Sequence, residues 1–106
     1  MTHSSESNFL FEVGQLVHHR RYGYRGVVFG RDAMCTAGNA WYMKNLTQPD
    51  RDQPWYHVMV DGAAHTTYVA ETNLEPDELL EPVVHPLLNK VFLSFYQGRY
   101  YRESMN

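Results

Sequence analysis

A basic and aromatic run between residues 18 and 25 holds the side chains best suited to contacting phosphate and nucleobases. Arginine guanidinium groups donate paired hydrogen bonds to phosphate oxygens, and tyrosine rings stack on bases or ribose. Gly23 lies inside the run and predicts a tight turn, so the run would form a hairpin tip. The alternative is a tip solvated around its own charges. The candidates for nucleic-acid or partner binding are His18, His19, Arg20, Arg21, Tyr22, Tyr24 and Arg25.

A second group of candidates is aromatic. Small β-barrels can use clustered rings to bind peptides or methylated lysines. The alternative is that most of these rings form the core, with Trp55 covering one end of a barrel. Trp41 and Tyr42 fall in a long connection, so we expect them to be partly exposed and include them as partner-binding candidates. The group comprises Trp41, Tyr42, Trp55, Tyr56 and Tyr68.

Catalytic and metal-binding patterns are weak in this sequence. The histidines lack the local spacing of a zinc site with three or four ligands, and Cys35 is expected to be a buried thiol. Acid–base catalysis needs two carboxyl groups at a defined separation, which a sequence alone cannot show. We therefore expect no enzymatic activity, no metal and no cofactor. The residues considered were His18, His19, His57 and His65 for metal, and Asp32, Asp61 and Glu71 for catalysis.

The length and net charge of the chain limit the number of domains and the class of protein. The 106 residues predict one domain, and the net charge of −3 differs from the strongly basic face of most nucleic-acid-binding domains. Basic residues concentrate in 18–31 and acidic residues in 71–81, so either a local basic patch or two solvated faces would result. The single cysteine, the polar first eight residues and the lack of a long apolar run favour a cytoplasmic protein without a membrane span.

These candidates must be positioned by β-strands. Val, aromatic and turn residues predict strands at 13–19, 24–31, 55–60 and 65–70, a strand or turn at 72–75, and a short helix within 39–46. After Pro86, apolar residues at helical spacing predict a helix that ends at Gly98, followed by an edge strand at 99–102. We therefore predict an all-β fold, a small SH3-like β-barrel with a long inserted loop and a C-terminal helix. A disordered tail would occupy 1–8 and a single domain 9–106, with 76–106 as its helical extension.

Four blocks of sequence within residues 11–75 carry a family resemblance. They are Gly14-Gln15-x-Val17-x-His19, Tyr22-Gly23-Tyr24-x-Gly26-Val27-Val28, Pro54-Trp55-Tyr56-His57-Val58 and Tyr68-Val69-Ala70-Glu71-x-Asn73-Leu74. Together they resemble the YccV-like family, also called the hemimethylated DNA-binding domain family, which includes the bacterial heat-shock protein HspQ. The segments 32–41 and 85–100 look more like the version of this domain found in certain eukaryotic F-box proteins.

The resemblance implies a β-barrel without enzymatic activity and two kinds of role. One is binding to hemimethylated DNA. The other is a part in stress response and protein quality control, as an adaptor or modulator of an ATP-dependent protease of the Lon or Clp type. The sequence leaves both open, and the arginine cluster with the acidic stretch could also mediate homo-oligomer formation.

Overall fold

The fold is mostly β, built on one antiparallel sheet. The structure is a computed structural model that describes residues 8–103. Five strands form the main sheet in the order β4-β3-β2-β1-β5, and two more form a separate hairpin. The strands are β1 (Leu16–His19), β2 (Arg25–Asp32), β3 (Trp55–Val60), β4 (Thr66–Ala70), β5 (Leu74–Pro76), β6 (Ser94–Tyr96) and β7 (Arg99–Tyr101); the helices are α1 (Asn39–Met43) and α2 (Leu88–Val91), with a 3₁₀ turn at Glu71–Asn73.

Both faces of the main sheet are buried. Successive strand residues point to opposite faces, yet Val58 and Met59 of β3 are both fully buried. Val58 packs on one face with Val17, Val28 and Tyr56, among others. Met59 packs on the other face, in a second cluster that draws on the C-terminal segment through Val83, Phe92 and Tyr100. Residues 77–101 therefore cover the second face of the sheet.

The bounds of three strands of the sheet agree closely with those predicted from the sequence. β3 occupies the predicted residues, and β2 and β4 lie within one residue of their predicted bounds. The antiparallel β character is confirmed. Within residues 8–103, however, the sheet is open, with β4 and β5 at its edges, and the predicted closure into an SH3-like barrel is not seen there.

The prediction of a C-terminal helix ending at Gly98 is wrong, because the helix that forms is much shorter. Only α2 is helical, and the chain then forms the β6–β7 hairpin. Gln97 and Gly98 both have positive φ, at 51° and 78°, which matches a two-residue type I′ hairpin turn. Phe92 and Tyr100 meet in the second core cluster, with ring centroids 5.5 Å apart. This aromatic burial, together with the turn, favours strands where the apolar spacing alone suggested a helix.

The connection between β2 and β3 is a folded unit. Residues 33–54 contain α1 and share a small core in which Cys35, Trp55 and Ala70 are buried. The buried thiol predicted at Cys35 is confirmed. The tail predicted at 1–8 falls outside the described residues except for Asn8. No helix among residues 8–103 has the length and apolar character needed to cross a membrane.

Candidate partner-binding surfaces

His19 holds the β1–β2 turn together. Its side chain is buried, and its Nδ1 accepts the backbone N–H groups of Arg21 at 3.1 Å and Tyr22 at 3.0 Å. Its ring stacks on Tyr22 with centroids 4.7 Å apart and also contacts Tyr24. Burial lowers the pKa of His19, and the nearby charges of His18 and Arg21 lower it further. The neutral ring thus acts as the internal support of the turn.

The Glu75 carboxylate of β5 lies beside His18 and Arg20, the two residues that flank His19. His18 Nδ1 lies 2.8 Å from Glu75 Oε2, and Arg20 Nη1 lies 3.6 Å from Glu75 Oε1. Arg20 also donates its Nε–H to the carbonyl oxygen of Leu74 at 3.1 Å. β5 pairs with β1 directly, so this acidic neighbour is fixed by the sheet. The positive charge of Arg20 is therefore partly offset where phosphate would have to approach.

Arg25 is an internal anchor. Its side chain is only 15% exposed, and it forms ion pairs with Asp61 at 3.1 Å and Asp77 at 3.0 Å. It also donates to the carbonyl oxygen of Glu81. These partners come from the β3–β4 turn and the segment after β5, so Arg25 ties three parts of the chain together. It offers little to an external ligand.

Few side chains at this turn remain available to contact an external ligand. Arg21 and Tyr22 are exposed, and the Arg21 guanidinium lies 5.9 Å from the Tyr22 ring centroid. The Tyr24 hydroxyl is 2.7 Å from Thr67 Oγ1, which fixes that ring against the sheet. We call Arg20, Arg21 and Tyr22 the turn surface. It carries two arginines, of which Arg20 lies next to Glu75, and the groove lined by Arg20 and Glu75 is also lined by Asp77 and Glu78.

The α1 loop, residues 33–54, is held in place by bonds within itself and to β3. The Cys35 N–H donates to the carbonyl of Arg51 at 2.9 Å, and the Tyr42 hydroxyl donates to the carbonyl of Pro49 at 2.7 Å. The Arg51 guanidinium lies 4.7 Å from the Tyr42 ring centroid. The Trp55 indole N–H donates to the carbonyl of Asp50 at 3.3 Å. A loop fixed in this way presents its outer side chains at defined positions.

Those outer side chains are strongly apolar. Met34 is 51% exposed, Trp41 38%, Met43 57% and Leu46 86%. The Trp41 ring meets Trp55 and Tyr68 edge-on, with centroids 6.2 and 5.7 Å away. The prediction that Trp41 and Tyr42 are partly exposed is confirmed, since Tyr42 is half-buried. We call Met34, Trp41, Met43 and Leu46 the loop surface.

A polar cluster lies beside the loop surface, where β2, β3 and β4 are paired. The Tyr68 hydroxyl donates to Asp32 Oδ2 at 2.6 Å, Thr36 Oγ1 donates to the same oxygen at 3.1 Å, and His57 Nε2 lies 3.4 Å from it. Burial opposes ionisation of Asp32, but the bonds from Tyr68 and Thr36 and the proximity of His57 leave its pKa below the ordinary value. Burial and this carboxylate raise the pKa of Tyr68.

Asp32, His57 and Tyr68 were separate candidates in the sequence, and their meeting in one cluster was not predicted. The signal was available in the strand alternation, because pairing β3 with β4 in the observed register places His57 opposite Tyr68. His57 does not meet His65, whose carbonyl oxygen lies 2.9 Å from the ring of His85 instead. In the part of the chain that the structure describes, no three His, Cys, Asp or Glu side chains are grouped as a metal site.

The structure does not bring the predicted candidates into one site. Arg25 begins β2 and Asp32 ends it, eight residues along the strand. At roughly 3.3 Å per residue, the two ends of β2 are about 23 Å apart. The turn surface precedes one end of β2 and the α1 loop follows the other. The chain therefore has two separate surfaces that differ in chemistry, one basic and aromatic, the other apolar.

The described residues form a mostly β structure on a five-stranded antiparallel sheet, with the turn surface and the loop surface as its candidate sites. The chain matches the family described as "Hemimethylated DNA-binding protein YccV like" over residues 9–99. It belongs to the YccV-like family. It is also 32% identical over 95 residues to the proteins named F-box only protein 21 of Homo sapiens, Mus musculus and Pongo abelii. That alignment covers 85% of this chain and 15% of each relative, so the chain spans a small part of their length.

Proposed function

We propose that this chain is a non-enzymatic protein-interaction module that acts as an adaptor or modulator in stress response and ATP-dependent proteolysis of the Lon or Clp type. Its docking site would be the loop surface. An adaptor of such a protease would work in the cytoplasm, the location predicted from the sequence.

The single observation that carries the proposal is the exposure of four large apolar side chains within residues 34–46 of an anchored loop. Methionine and aromatic residues are enriched at protein–protein interfaces, and methionine adapts to varied partners. Exposing them to water is unfavourable, and binding a partner would remove that cost. Because the loop is already fixed by its internal bonds, it would lose little conformational entropy on binding.

The charges of the chain also favour a protein partner. Nucleic-acid affinity comes mainly from cations that replace counterions at phosphates. Of the arginines predicted for that task, Arg25 is paired with two carboxylates and Arg20 lies beside a third.

The test is biolayer interferometry with the immobilised chain and purified Lon-type and Clp-type proteases of the native host. We expect Leu46→Ser and Trp41→Ala each to weaken association at least about tenfold, the scale of a central interface residue. The matched control is Leu93→Ser, since Leu93 is 69% exposed and directly precedes β6 of the separate C-terminal hairpin. Association that is absent for the wild type, or equally weakened by Leu93→Ser, would contradict the proposal.

A second candidate function is binding to hemimethylated duplex DNA through the turn surface. The family description and the exposure of Arg20, Arg21 and Tyr22 support it. Fluorescence anisotropy with unmethylated, hemimethylated and fully methylated duplexes tests it at two salt concentrations. DNA binding predicts that log affinity falls by about 0.9 per log unit of salt for each phosphate neutralised. Arg20→Ala with Arg21→Ala would then abolish a hemimethyl preference, and an unchanged preference would place the DNA site elsewhere.

A further inference from the structure

Trp41, Tyr68, His57 and Asp32 form a mixed aromatic and acidic group that we call the shelf. The Trp41 and Tyr68 rings stand at 61° to each other with centroids 5.7 Å apart. His57 lies beside Tyr68 at 4.5 Å, with the ring planes 34° apart. Trp41 is 38% exposed, and the side chain of His57 is 42% exposed. Solvent therefore reaches two rings of the shelf beside a carboxylate.

Asp32 gives the shelf a negative charge. The bonds from Tyr68 and Thr36 and the contact from His57 all involve Oδ2, and Oδ1 takes none of them. Among the described residues, no lysine or arginine forms an ion pair with Asp32. Bonds donated to a carboxylate stabilise its ionised form, so the charge persists at neutral pH. The side chain is 27% exposed, so the charge is reachable but not fully hydrated.

We propose that the shelf binds a cationic side chain, an arginine guanidinium or a lysine ammonium, of the partner protein. This rests on the proposed function and names the chemistry that its partner would present beside the loop surface. A cation is attracted to the face of an aromatic ring, most strongly to tryptophan, and a neighbouring carboxylate adds direct attraction. The net charge of −3 attracts a basic partner over a longer range.

The same charge argues against a nucleotide on the shelf. A base could stack on Trp41, but the Asp32 carboxylate of the shelf would repel its phosphate. A neutral amide of the same shape as arginine would keep the stacking and lose the charge. The comparison of a cation, its neutral counterpart and a nucleotide therefore separates the explanations.

The test is an NMR titration of the full chain with three probes, followed through the Trp41 indole N–H and the ring protons of Tyr68. The probes are N-acetyl-arginine methylamide, the citrulline analogue and adenosine monophosphate. We expect saturable shifts in the millimolar range with the arginine probe, and at least about tenfold weaker binding of citrulline. Equal binding of citrulline, stronger binding of adenosine monophosphate, or no saturable shift with arginine would overturn the inference.

Asp32→Asn completes the test and separates it from the proposed function. The asparagine oxygen can still accept from Tyr68, so the fold should persist, as a thermal unfolding scan would verify. We expect arginine affinity to fall three- to tenfold, while the control Asp50→Asn leaves it unchanged. If Asp32→Asn has no effect but Leu46→Ser abolishes protease association, the shelf inference fails alone. If the arginine probe binds through Asp32 but Leu46→Ser has no effect on protease association, the proposed function fails alone.

Discussion

Arg25→Ala should strongly destabilise the fold. The arginine side chain is 15% exposed and donates from Nε and Nη2 to Asp77 Oδ2, at 3.1 and 3.0 Å. The side chain of Asp77 is only 5% exposed. Removing the guanidinium would leave a buried carboxylate without its counterion, and such a loss costs about 3–5 kcal/mol. The perturbation therefore tests whether this member of the basic run is an internal anchor.

The expected cost lies near the lower end of that range. Asp77 keeps one bond after the substitution, because Oδ2 also accepts the N–H of Leu80 at 3.2 Å. Asp61, the other ion-pair partner of Arg25, is 27% exposed and would be partly hydrated. We therefore expect a loss of about 3 kcal/mol in the free energy of unfolding. With a urea m-value of about 1.5 kcal/mol/M, the unfolding midpoint would fall by about 2 M.

Urea unfolding at pH 7, followed by tryptophan fluorescence, measures this shift. Arg21→Ala is the matched control, because Arg21 lies four residues away on the same hairpin and is exposed. It should change stability by no more than about 0.5 kcal/mol. A double-mutant cycle with Asp77→Asn should return a coupling of about 1–3 kcal/mol. An Arg25→Ala midpoint equal to that of Arg21→Ala would refute the reasoning.

Two further predictions concern the backbone and pH. Gly14→Ala should destabilise by about 3 kcal/mol or more in urea unfolding, because φ is +96° and an added Cβ would overlap the carbonyl oxygen of Tyr100. Gly62→Ala, with φ at +78° and open space around it, should cost about 1–2 kcal/mol; equal costs would contradict the account. The lowered pKa of His19 means that the unfolded chain binds more protons as pH falls below about 6.5, so stability should decline between pH 7.5 and 5.5. The decline should be reduced in His19→Gln and kept in the exposed-residue control His65→Gln, and an unchanged decline in His19→Gln would contradict this role.

The strands were predictable because local pattern and fold agree. The Val and aromatic content of residues 55–60 predicts β3, and the structure has a strand at Trp55–Val60. In the C-terminal hairpin, β7 (Arg99–Tyr101) lies within the edge strand predicted at 99–102, but β6 was predicted as part of a helix. Its apolar residues fit helical spacing, and the decision for strands comes from the burial of Phe92 and Tyr100 in a core shared with β3. That contact joins residues far apart in sequence.

The sequence identified many of the residues of the candidate surfaces, but it did not show which of them point outward and which hold the fold together. The basic run of residues 18–25 forms a hairpin tip as expected, but Arg25 and His19 are turned inward by partners that lie elsewhere in the chain or in the turn itself. The partial exposure of Trp41 followed from its place in a long connection. The meeting of Asp32 with His57 and Tyr68 depends on which residues pair across β2, β3 and β4. Alternation within a strand indicates which face a residue occupies, but the pairing partners depend on contacts between strands.

The most direct test of the central claim is hydrogen–deuterium exchange of the chain alone and in the presence of the purified Lon-type or Clp-type protease of its native host. Docking on the loop surface predicts slower exchange in residues 34–46 on adding the protease, with residues 20–24 unchanged. Slower exchange confined to residues 20–24, or no change anywhere in the chain at saturating protease, would contradict the account.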